Sequence, residues 1–374
     1  MTILTDSTAP EASDLSLVGG KALGLARMTA GGIPVAPWLT VSTRVHRAFL
    51  EQTQLNLRIE RVINAIDWSS QDSLADAERQ IAAIFAETPV PSDIAEDVVA
   101  GYRGLAERLG VPELSVAVRS SATAEDTADS SFAGEYETYV GITGAEQVVE
   151  YVKLCWASGF TAHALAYAHD RGFSPLAVSM AVVVQKTVKA RAAGVMFTLS
   201  PATGDRSRIV VEASWGIGLA VVGGEVTPDR YAVDKVSLTI LDRIPGDKKI
   251  EYLDGQTSTP VDDARQAQLC LSDSEVLELA RLGKALEKQQ GGPQDIEFAI
   301  DRELADGANI ILLQCRPETV WSTRKRAAAA ALPLMDQVAA SVFGLGKPGS
   351  ADSAGSAGSP GKRAFVLTEV GHAH

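Results

Sequence analysis

Cysteine is scarce. The 374 residues contain three, Cys155, Cys270 and Cys315, far apart and without CxxC spacing. That argues against a disulfide framework and reads as reduced thiols in a cytosolic protein. Long apolar runs are absent too, and no stretch approaches the length of a membrane span. The N-terminal segment Met1–Ser16 is acidic and rich in Ser and Thr. It has neither a basic start nor an apolar run, so it does not read as a signal peptide. Positive charge is in deficit, with 34 Lys and Arg against 47 Asp and Glu and a formal net charge of −13. Nonspecific binding to nucleic acid or to an anionic membrane is therefore disfavoured. A nucleotide is not, because a local Lys/Arg cluster with Mg2+ overcomes a distant acidic surface. The length suffices for a large core and predicts two lobes or domains with additions. The sequence carries no internal repeat.

What is present centres on Gln294-Asp-Ile-Glu-Phe-Ala-Ile300 and Asn309-Ile-Ile-Leu-Leu-Gln-Cys-Arg316. Side chains alternate between the faces of a strand. Asp295, Glu297 and Ala299 are expected on one face of the first run, with Ile296, Phe298 and Ile300 on the other. In the second run Gln314 and Arg316 share a face, and Ile311, Leu313 and Cys315 lie opposite. The polar connection 301–308, which contains Gly307, suits antiparallel neighbours. With their apolar faces on a core, the two runs bring two acids, an amide and a guanidinium together on the open side. Such hard oxygen ligands suit Mg2+, usually held by one or two carboxylates plus substrate phosphates. Arg316 would neutralise phosphate charge. Either run alone would equally serve as an amphipathic strand that shows water its polar face.

Upstream, Val18-Gly-Gly-Lys21 opens a predicted helix that runs to about Ala30 and is closed by Gly31-Gly32. A lysine in a glycine-preceded first turn can reach a phosphate, or can simply be solvated. Trp38–Val41 reads as a short strand. From Thr43 to Leu109 the pattern is helical, with caps at Thr43 and Ser73 and a helix from Pro91 to Gly110. His46 reads as a surface or packing residue. Leu114–Arg119 is a predicted strand that delivers Arg119 to a run of small polar residues, 120–131, and Phe132–Val140 is a strand again. Such a loop either closes over a ligand or is a surface excursion. Glu146–Asp170 reads as a helix pair with Trp156 and Phe160 as core anchors, and His163 and His169 as helix-surface residues. Ala177–Gln185, nearly all apolar, is a predicted strand covered on both faces. Gln185 at its end presents an amide to an adenine or a ribose, or else faces solvent. Further strands are expected at Ala193–Thr198, Arg208–Ala213, Tyr231–Asp234 and Val236–Arg243. The glycine turn Ser214-Trp-Gly-Ile-Gly218 would let backbone approach a ligand closely. Pro245–Asp263 reads as turn-rich and polar, and Asp273–Gln289 as a helix. Beyond Trp321 come an alanine-rich, plausibly helical stretch, Arg324–Phe343, and a flexible Gly/Ser/Ala/Pro linker, Gly344–Gly361.

Several of these segments, in this order, resemble the N-terminal ATP-grasp nucleotide-binding domain of the phosphoenolpyruvate synthase and pyruvate phosphate dikinase family. Rifampicin phosphotransferase and the ATP-binding subunit of phenylphosphate synthase belong to the same family. The matching pieces are Gly19-Gly-Lys21, Val118-Arg-Ser-Ser-Ala-Thr-Ala-Glu-Asp126, Ser131-Phe-Ala-Gly134, Gly194-Val-Met-Phe-Thr198, Ser214-Trp-Gly-Ile-Gly218, Asp295-Ile-Glu297 and Gln314-Cys-Arg-Pro-Glu-Thr-Val320. They cover about 17–322, and several motifs in register carry weight where one does not. The resemblance implies an α+β ATP-grasp fold, two lobes with mixed or antiparallel sheets and flanking helices, over 1–323. A helical extension, 324–343, and a flexible linker and tail, 344–374, would follow. It implies ATP contacts from Lys21, Arg119, Gly134, Thr138, Gln185, Glu297, Gln314 and Arg316. Lys21, Arg119 and Arg316 would grip phosphates. Gly134 and Thr138 would belong to the loop over the triphosphate. Glu297 and Gln314 would hold Mg2+, with Asp295 beside them.

Family members move the β,γ-phosphates of ATP to a histidine on a swivelling domain and release AMP. The expectation is that the histidine domain is a partner polypeptide or a part removed by truncation, with a small-molecule acceptor bound elsewhere. The resemblance departs at Leu219, where the family carries an acid after its Gly-Leu-Gly. The tail Thr368-Glu-Val-Gly-His-Ala373 faintly echoes the phosphohistidine motif at His372, without the spacing or the following helix that would position it. The sequence therefore predicts the ATP-binding subunit of a split dikinase of the phenylphosphate synthase kind. A phosphoenolpyruvate synthase-like fragment is the near alternative, a non-catalytic ATP-binding regulatory module the distant one, and a one-step kinase releasing ADP a third.

Overall fold

The computed structural model describes residues 3–4, 9–123, 137–255 and 257–321. Gly134, the expected helix 324–343, and the linker and tail 344–374 with His372 lie outside the described residues. A compact unit spans Met1–Pro317 and contains both principal sheets. In the second unit, the described Glu318 carboxylate accepts the Trp321 N–H at 2.8 Å.

Strand β1 (Ile3–Leu4) is followed by α1 (Leu15–Ala30), β2 (Trp38–Val41) and four helices, α2 (Thr43–Gln52), α3 (Leu55–Asn64), α4 (Gln71–Glu87) and α5 (Ser92–Leu109). The predicted caps shift by a few residues. Ser42 precedes α2, and the Ser70 hydroxyl, not that of Ser73, accepts an N–H in the first turn of α4. Gly110 closes α5 in the left-handed region, at φ 65°. Then come β3 (Val116–Ala122), β4 (Thr138–Ile142), α6 (Ala145–Ala157), α7 (Ala162–Asp170) and β5 (Met180–Lys186). These strands form a sheet in the order β1-β2-β5-β3-β4, antiparallel at every pairing.

The second sheet takes β6 (Ala190–Phe197), β7 (Arg208–Trp215), β8 (Asp229–Asp234) and β9 (Thr239–Ile244), with the short helix α8 (Leu219–Val222) after β7. The strand β9 starts later than expected because the Asp234 side chain accepts the Val236 and Ser237 N–H groups and turns the chain. The stretch expected to be only turns contains a small hairpin, β10 (Ile250–Tyr252) with β11 (Ser258–Pro260). After α9 (Asp263–Gln266), helix α10 (Asp273–Gln290) opens on a capping box between Ser272 and Glu275 and ends at Gly291, φ 77°. The closing pair is β12 (Gln294–Asp301) and β13 (Ile310–Pro317), and the sheet order is β13-β12-β6-β7-β8-β9, again antiparallel throughout.

Two apolar cores follow from the side-chain alternation. Val182 and Val184 of β5 face the helical layer with Val116, Val118, Phe49 and Trp156. Val183, between them, faces the other way and joins α1, α10 and the second sheet through Leu25, Leu279, Ile296 and Phe298. The expectation that β5 is covered on both faces is met. His46 is a packing residue, 2% exposed and stacked 5.5 Å from Trp156, and its Nδ1 accepts the Met180 N–H. The ring of His169 stacks on Trp68 at 4.1 Å. All three cysteines are buried thiols, and none forms a disulfide among the described residues.

Helix α1 is wedged against β3, β5 and β13, and two glycines make that possible. A Cβ on Gly24 would stand 2.8 Å from the Cys315 carbonyl oxygen, and one on Gly19 2.0 Å from that of Ser121. Gly19 adopts φ 72° and kinks the helix there, so the helix starts before the predicted Val18 and bends just after it.

Candidate functional site

Arg119 lies on β3 directly opposite Thr138 of β4 and Val183 of β5. Gln185 is two residues further along β5 and so shares its face, within diagonal reach. The guanidinium crosses from the first sheet to the second. Its Nη1 donates to Gln185 Oε1 at 3.3 Å and to the Leu313 carbonyl at 3.0 Å. Its Nη2 donates to Glu297 Oε2 at 2.9 Å and to Gln314 Oε1 at 2.6 Å. Glu297 and Gln314 are cross-strand partners on β12 and β13, so the two oxygens converge because the register puts them there. Arg119 is 8% exposed, and its Nε–H has no partner among the described residues. Such a buried orphan donor is uncommon and marks a place where an acceptor from outside the chain fits.

A cavity of about 170 Å³ opens beside this cluster, lined by Arg119, Thr138, Gln185 and Glu297. Its floor is a small-residue cluster, Ala190, Ala193 and Ala299 with Val188, against which Ile217, Ile311 and Leu313 pack. Alanines at these positions leave volume that larger side chains would fill. The result is a slot, apolar on one side and polar on the other, of the kind that takes a flat ring with charged substituents.

A bulge in β13 corrects one reading of the sequence. Glu297 pairs with Gln314 but Phe298 pairs with Leu312, which leaves Leu313 as the extra residue. The alternation therefore inverts. Leu312 and Cys315 enter the core, whereas Leu313 lines the cavity and Ile311 packs on its floor. The bulge also exposes the Leu313 carbonyl that Arg119 uses.

Of the residues singled out from the sequence, Arg119, Thr138, Gln185, Glu297 and Gln314 are brought together. Asp295 and Arg316 occupy the next cross-strand position and pair with each other at 3.4 Å. Lys21 does not line the cavity. The turn that carries it is tied to the end of β3, where Ser121 Oγ donates to the Val18 carbonyl at 2.8 Å and accepts the Ala22 N–H at 3.1 Å. Its charge acts on the Cys155 thiol, where it opposes the upward push of burial on the thiol pKa. Gly134 lies outside the described residues. Leu219, in the place of the expected acid, lines the cavity beside Gly218 at φ 86°.

Sequence reasoning missed Lys186, Thr187 and Val188, which also line the cavity. The signal was available: only Thr187–Lys189 join β5 of one sheet to β6 of the other, so this link must pass the gap between them. It also missed that the β10–β11 hairpin touches both cavity walls.

Whether Mg2+ fits can be tested on the donor set. Glu297 and Gln314 offer two neighbouring hard oxygens, each accepting one bond from Arg119 Nη2 and keeping lone-pair capacity for a cation. Among the described residues no group of three or more His, Cys, Asp or Glu side chains could hold a metal by itself. The site therefore fits a Mg2+ that takes its remaining ligands from phosphate and water, and not a metal held by protein alone.

The chain is similar to known proteins over most of its length. Residues 15–334 match the family described as "Pyruvate phosphate dikinase, AMP/ATP-binding domain". The chain is 41% identical over 348 residues to the phosphoenolpyruvate synthase of Aeropyrum pernix, a match that covers 85% of this chain and 42% of that protein. It is 40% identical over 338 residues to the probable phosphoenolpyruvate synthase of Staphylothermus marinus, covering 83% and 40%. With the probable phosphoenolpyruvate synthase of Methanocaldococcus jannaschii it shares 39% over 318 residues, covering 84% and 26%. The chain thus spans less than half the length of each of these relatives.

Proposed function

The chain belongs to the pyruvate phosphate dikinase AMP/ATP-binding domain family, and from that premise we propose that it binds ATP with Mg2+ as the nucleotide station of a dikinase-type phosphotransferase. The observation that carries the reading is the Arg119 hub. One guanidinium with an orphan donor, a carboxylate and two amides from four segments meet at the polar end of an apolar slot between two antiparallel sheets. That is the layout expected of an ATP-grasp fold. The slot suits the base, Gln185 the nucleoside and Arg119 the phosphates. Glu297 and Gln314 would hold Mg2+, with Asp295 beside them. The ion supplies charge neutralisation for the departing phosphates.

Phosphoryl transfer demands little covalent chemistry of the protein, so positioning and charge compensation dominate. Arg119 is already fixed by acceptors on both sheets and needs no reorganisation to meet developing negative charge. Arg316, paired with Asp295, reaches a phosphate by exchanging that partner. Lys21 stands on a glycine kink beside the end of β3, and Gly134 and Thr138 would belong to the loop over the triphosphate. The acceptor of the β,γ-phosphates is a histidine of a partner domain or subunit; AMP leaves, one phosphate is lost to water or phosphate, and the histidine passes the other to a small molecule bound elsewhere. The names of the relatives favour a phosphoenolpyruvate synthase-like version over a phenylphosphate synthase-like one. The setting is the cytoplasm. Among the described residues no helix is long and apolar enough to cross a membrane.

The test is the nucleotide product. ATP incubated with this chain and a histidine-bearing partner domain should yield AMP, dependent on Mg2+ and on Arg119. ADP as the sole product would replace the reading by a one-step kinase. A second reading rests on Leu219, which puts an apolar side chain in the cavity where the family has an acid. If ATP binds but no partner elicits AMP, the chain is a non-catalytic ATP-binding module.

A further inference from the structure

The small hairpin β10–β11 touches both walls of the cavity. On the second-sheet side, the Tyr252 carbonyl accepts the Ile217 N–H at 2.9 Å, and a Cβ on Gly216 would stand 2.3 Å from that same carbonyl oxygen. On the first-sheet side, a Cβ on Gly141 of β4 would stand 2.2 Å from the Asp254 carbonyl oxygen. One on Gly255 would stand 2.9 Å from the Val140 carbonyl oxygen. Gly141, Gly216 and Gly255 all have φ between 78° and 85°, so no other residue fits these contacts without strain. Val140 on one wall and Ile217, Gly218 and Leu219 on the other line the cavity. A single hairpin thus spans the gap between them.

Its two ends are held differently. The root is bound to the second-sheet side by charge. Glu251 takes a forked pair of hydrogen bonds from Arg265, at 2.5 and 3.0 Å. The same guanidinium lies 4.6 Å over the Trp215 ring, and Trp215 Nε1 donates to the Arg265 carbonyl at 3.1 Å. The Tyr252 hydroxyl adds a bond to Glu225. The tip meets β4 over two glycines, Gly141 and Gly255.

We propose that the β10–β11 hairpin is a strap that fixes the separation of the two cavity walls, and that its tip must leave β4 for nucleotide to enter and depart. The inference rests on the reading of the cavity as a nucleotide site. A strap rooted on one sheet and leaning on the other converts a relative motion of the sheets into the breaking of one backbone contact. It sets how long a ligand stays, without touching it.

The test measures dissociation of a fluorescent ATP analogue, with Mg2+, from the full chain. Gly255→Ala unseats the tip and Arg265→Ala loosens the root. Both are expected to speed dissociation five- to tenfold while the melting temperature without nucleotide moves by only a few degrees. Arg265→Lys, which keeps the charge but not the fork, should recover part of the slow rate. In the wild type, Mg2+ and ATP should slow amide exchange across 250–260. Dissociation within twofold of wild type in both alanine variants, or exchange across 250–260 that nucleotide leaves unchanged, overturns the strap while leaving the nucleotide reading intact. A wild-type chain that binds no ATP overturns the nucleotide reading first.

Discussion

Arg119 and Lys248 are both buried cations beside a carboxylate, and they do opposite things. Lys248 is completely buried against an equally buried Asp229, and everything around the pair is satisfied. Asp229 also accepts the Gly246 N–H at 2.8 Å and the Cys270 N–H at 2.7 Å, and the Lys248 ammonium gives a second bond to the Gly246 carbonyl. Lys248 even tolerates a positive φ of 36° to reach this place. The pair closes the loop between β9 and β10 onto the sheet, and no cavity adjoins it among those described. Arg119 by contrast keeps an Nε–H with no partner among the described residues and borders open volume. Burial of charge alone does not distinguish a structural ion pair from a functional one. What does is whether the partners inside the chain exhaust the group's hydrogen-bonding capacity.

The largest expected effect belongs to the closed pair. Lys248→Met leaves Asp229 buried with no counter-charge, and breaking such a pair from one side costs about 3–5 kcal/mol. Urea unfolding should show that loss, and the folded fraction should still bind ATP with wild-type affinity. A loss under about 1 kcal/mol, a value typical of exposed pairs, would erase the contrast.

Arg119→Met should behave in the reverse way. Removing a preorganised donor to developing charge lowers turnover by about 10²–10³-fold. The stability cost is smaller, because Glu297 is partly open to water and can be rehydrated. AMP formation with a partner domain measures the first and urea unfolding the second. A variant that unfolds as readily as Lys248→Met but turns over normally would exchange the two assignments.

His46 sharpens the comparison from the helical core. Burial, with the Arg47 charge adding to it, lowers its pKa to about 3 from the ordinary 6.5. The folded state therefore refuses a proton that the unfolded chain accepts. The contribution is intact above pH 6.5 and is lost as pH falls from there towards 3. The slope is about 1.4 kcal/mol per pH unit, so about 2 kcal/mol is gone by pH 5. Unfolding free energies of wild type and His46→Gln at pH 7 and pH 5 should differ by that amount in their pH dependence, with ATP affinity tracking the folded fraction.

Much of this was legible in the chain, and the failures have physical causes. Trp38–Val41 and the start of α10 were readable to the residue, because short strands between prolines and caps, and a Ser-x-x-Glu box, are local signals. Arg119, Gln185, Glu297 and Gln314 were readable as a set only through the order of the motifs. Their meeting point depends on β3 and β5 of one sheet facing β12 and β13 of another. The bulge at Leu313 was not readable, since alternation presumes an even register and a single inserted residue inverts it. The β10–β11 hairpin was hidden because its strands are three residues each and the buried residue of β10 is a charged one, Glu251. Lys21 was placed by its glycines, which do mark a kink. The purpose of that kink in the fold is close approach to Ser121, a contact no local pattern announces.

The smallest effect tests the row next to the hub. Asp295 and Arg316 were read as metal neighbour and phosphate grip, but here they pair with each other at 3.4 Å, with side chains 21% and 33% exposed. A pair so open to water contributes about 0–1 kcal/mol to folding. Asp295→Asn keeps the shape and removes the charge, so urea unfolding should barely change. Turnover then discriminates. If Arg316 must leave Asp295 to reach a phosphate, freeing it should lower the ATP KM. If Asp295 helps to hold Mg2+, the half-saturating Mg2+ concentration should rise severalfold instead. A variant that alters neither would show the hub to be self-sufficient. The functional part of the hairpin would then end at Glu297 and Gln314, one cross-strand row from a pair that only tidies the strand ends.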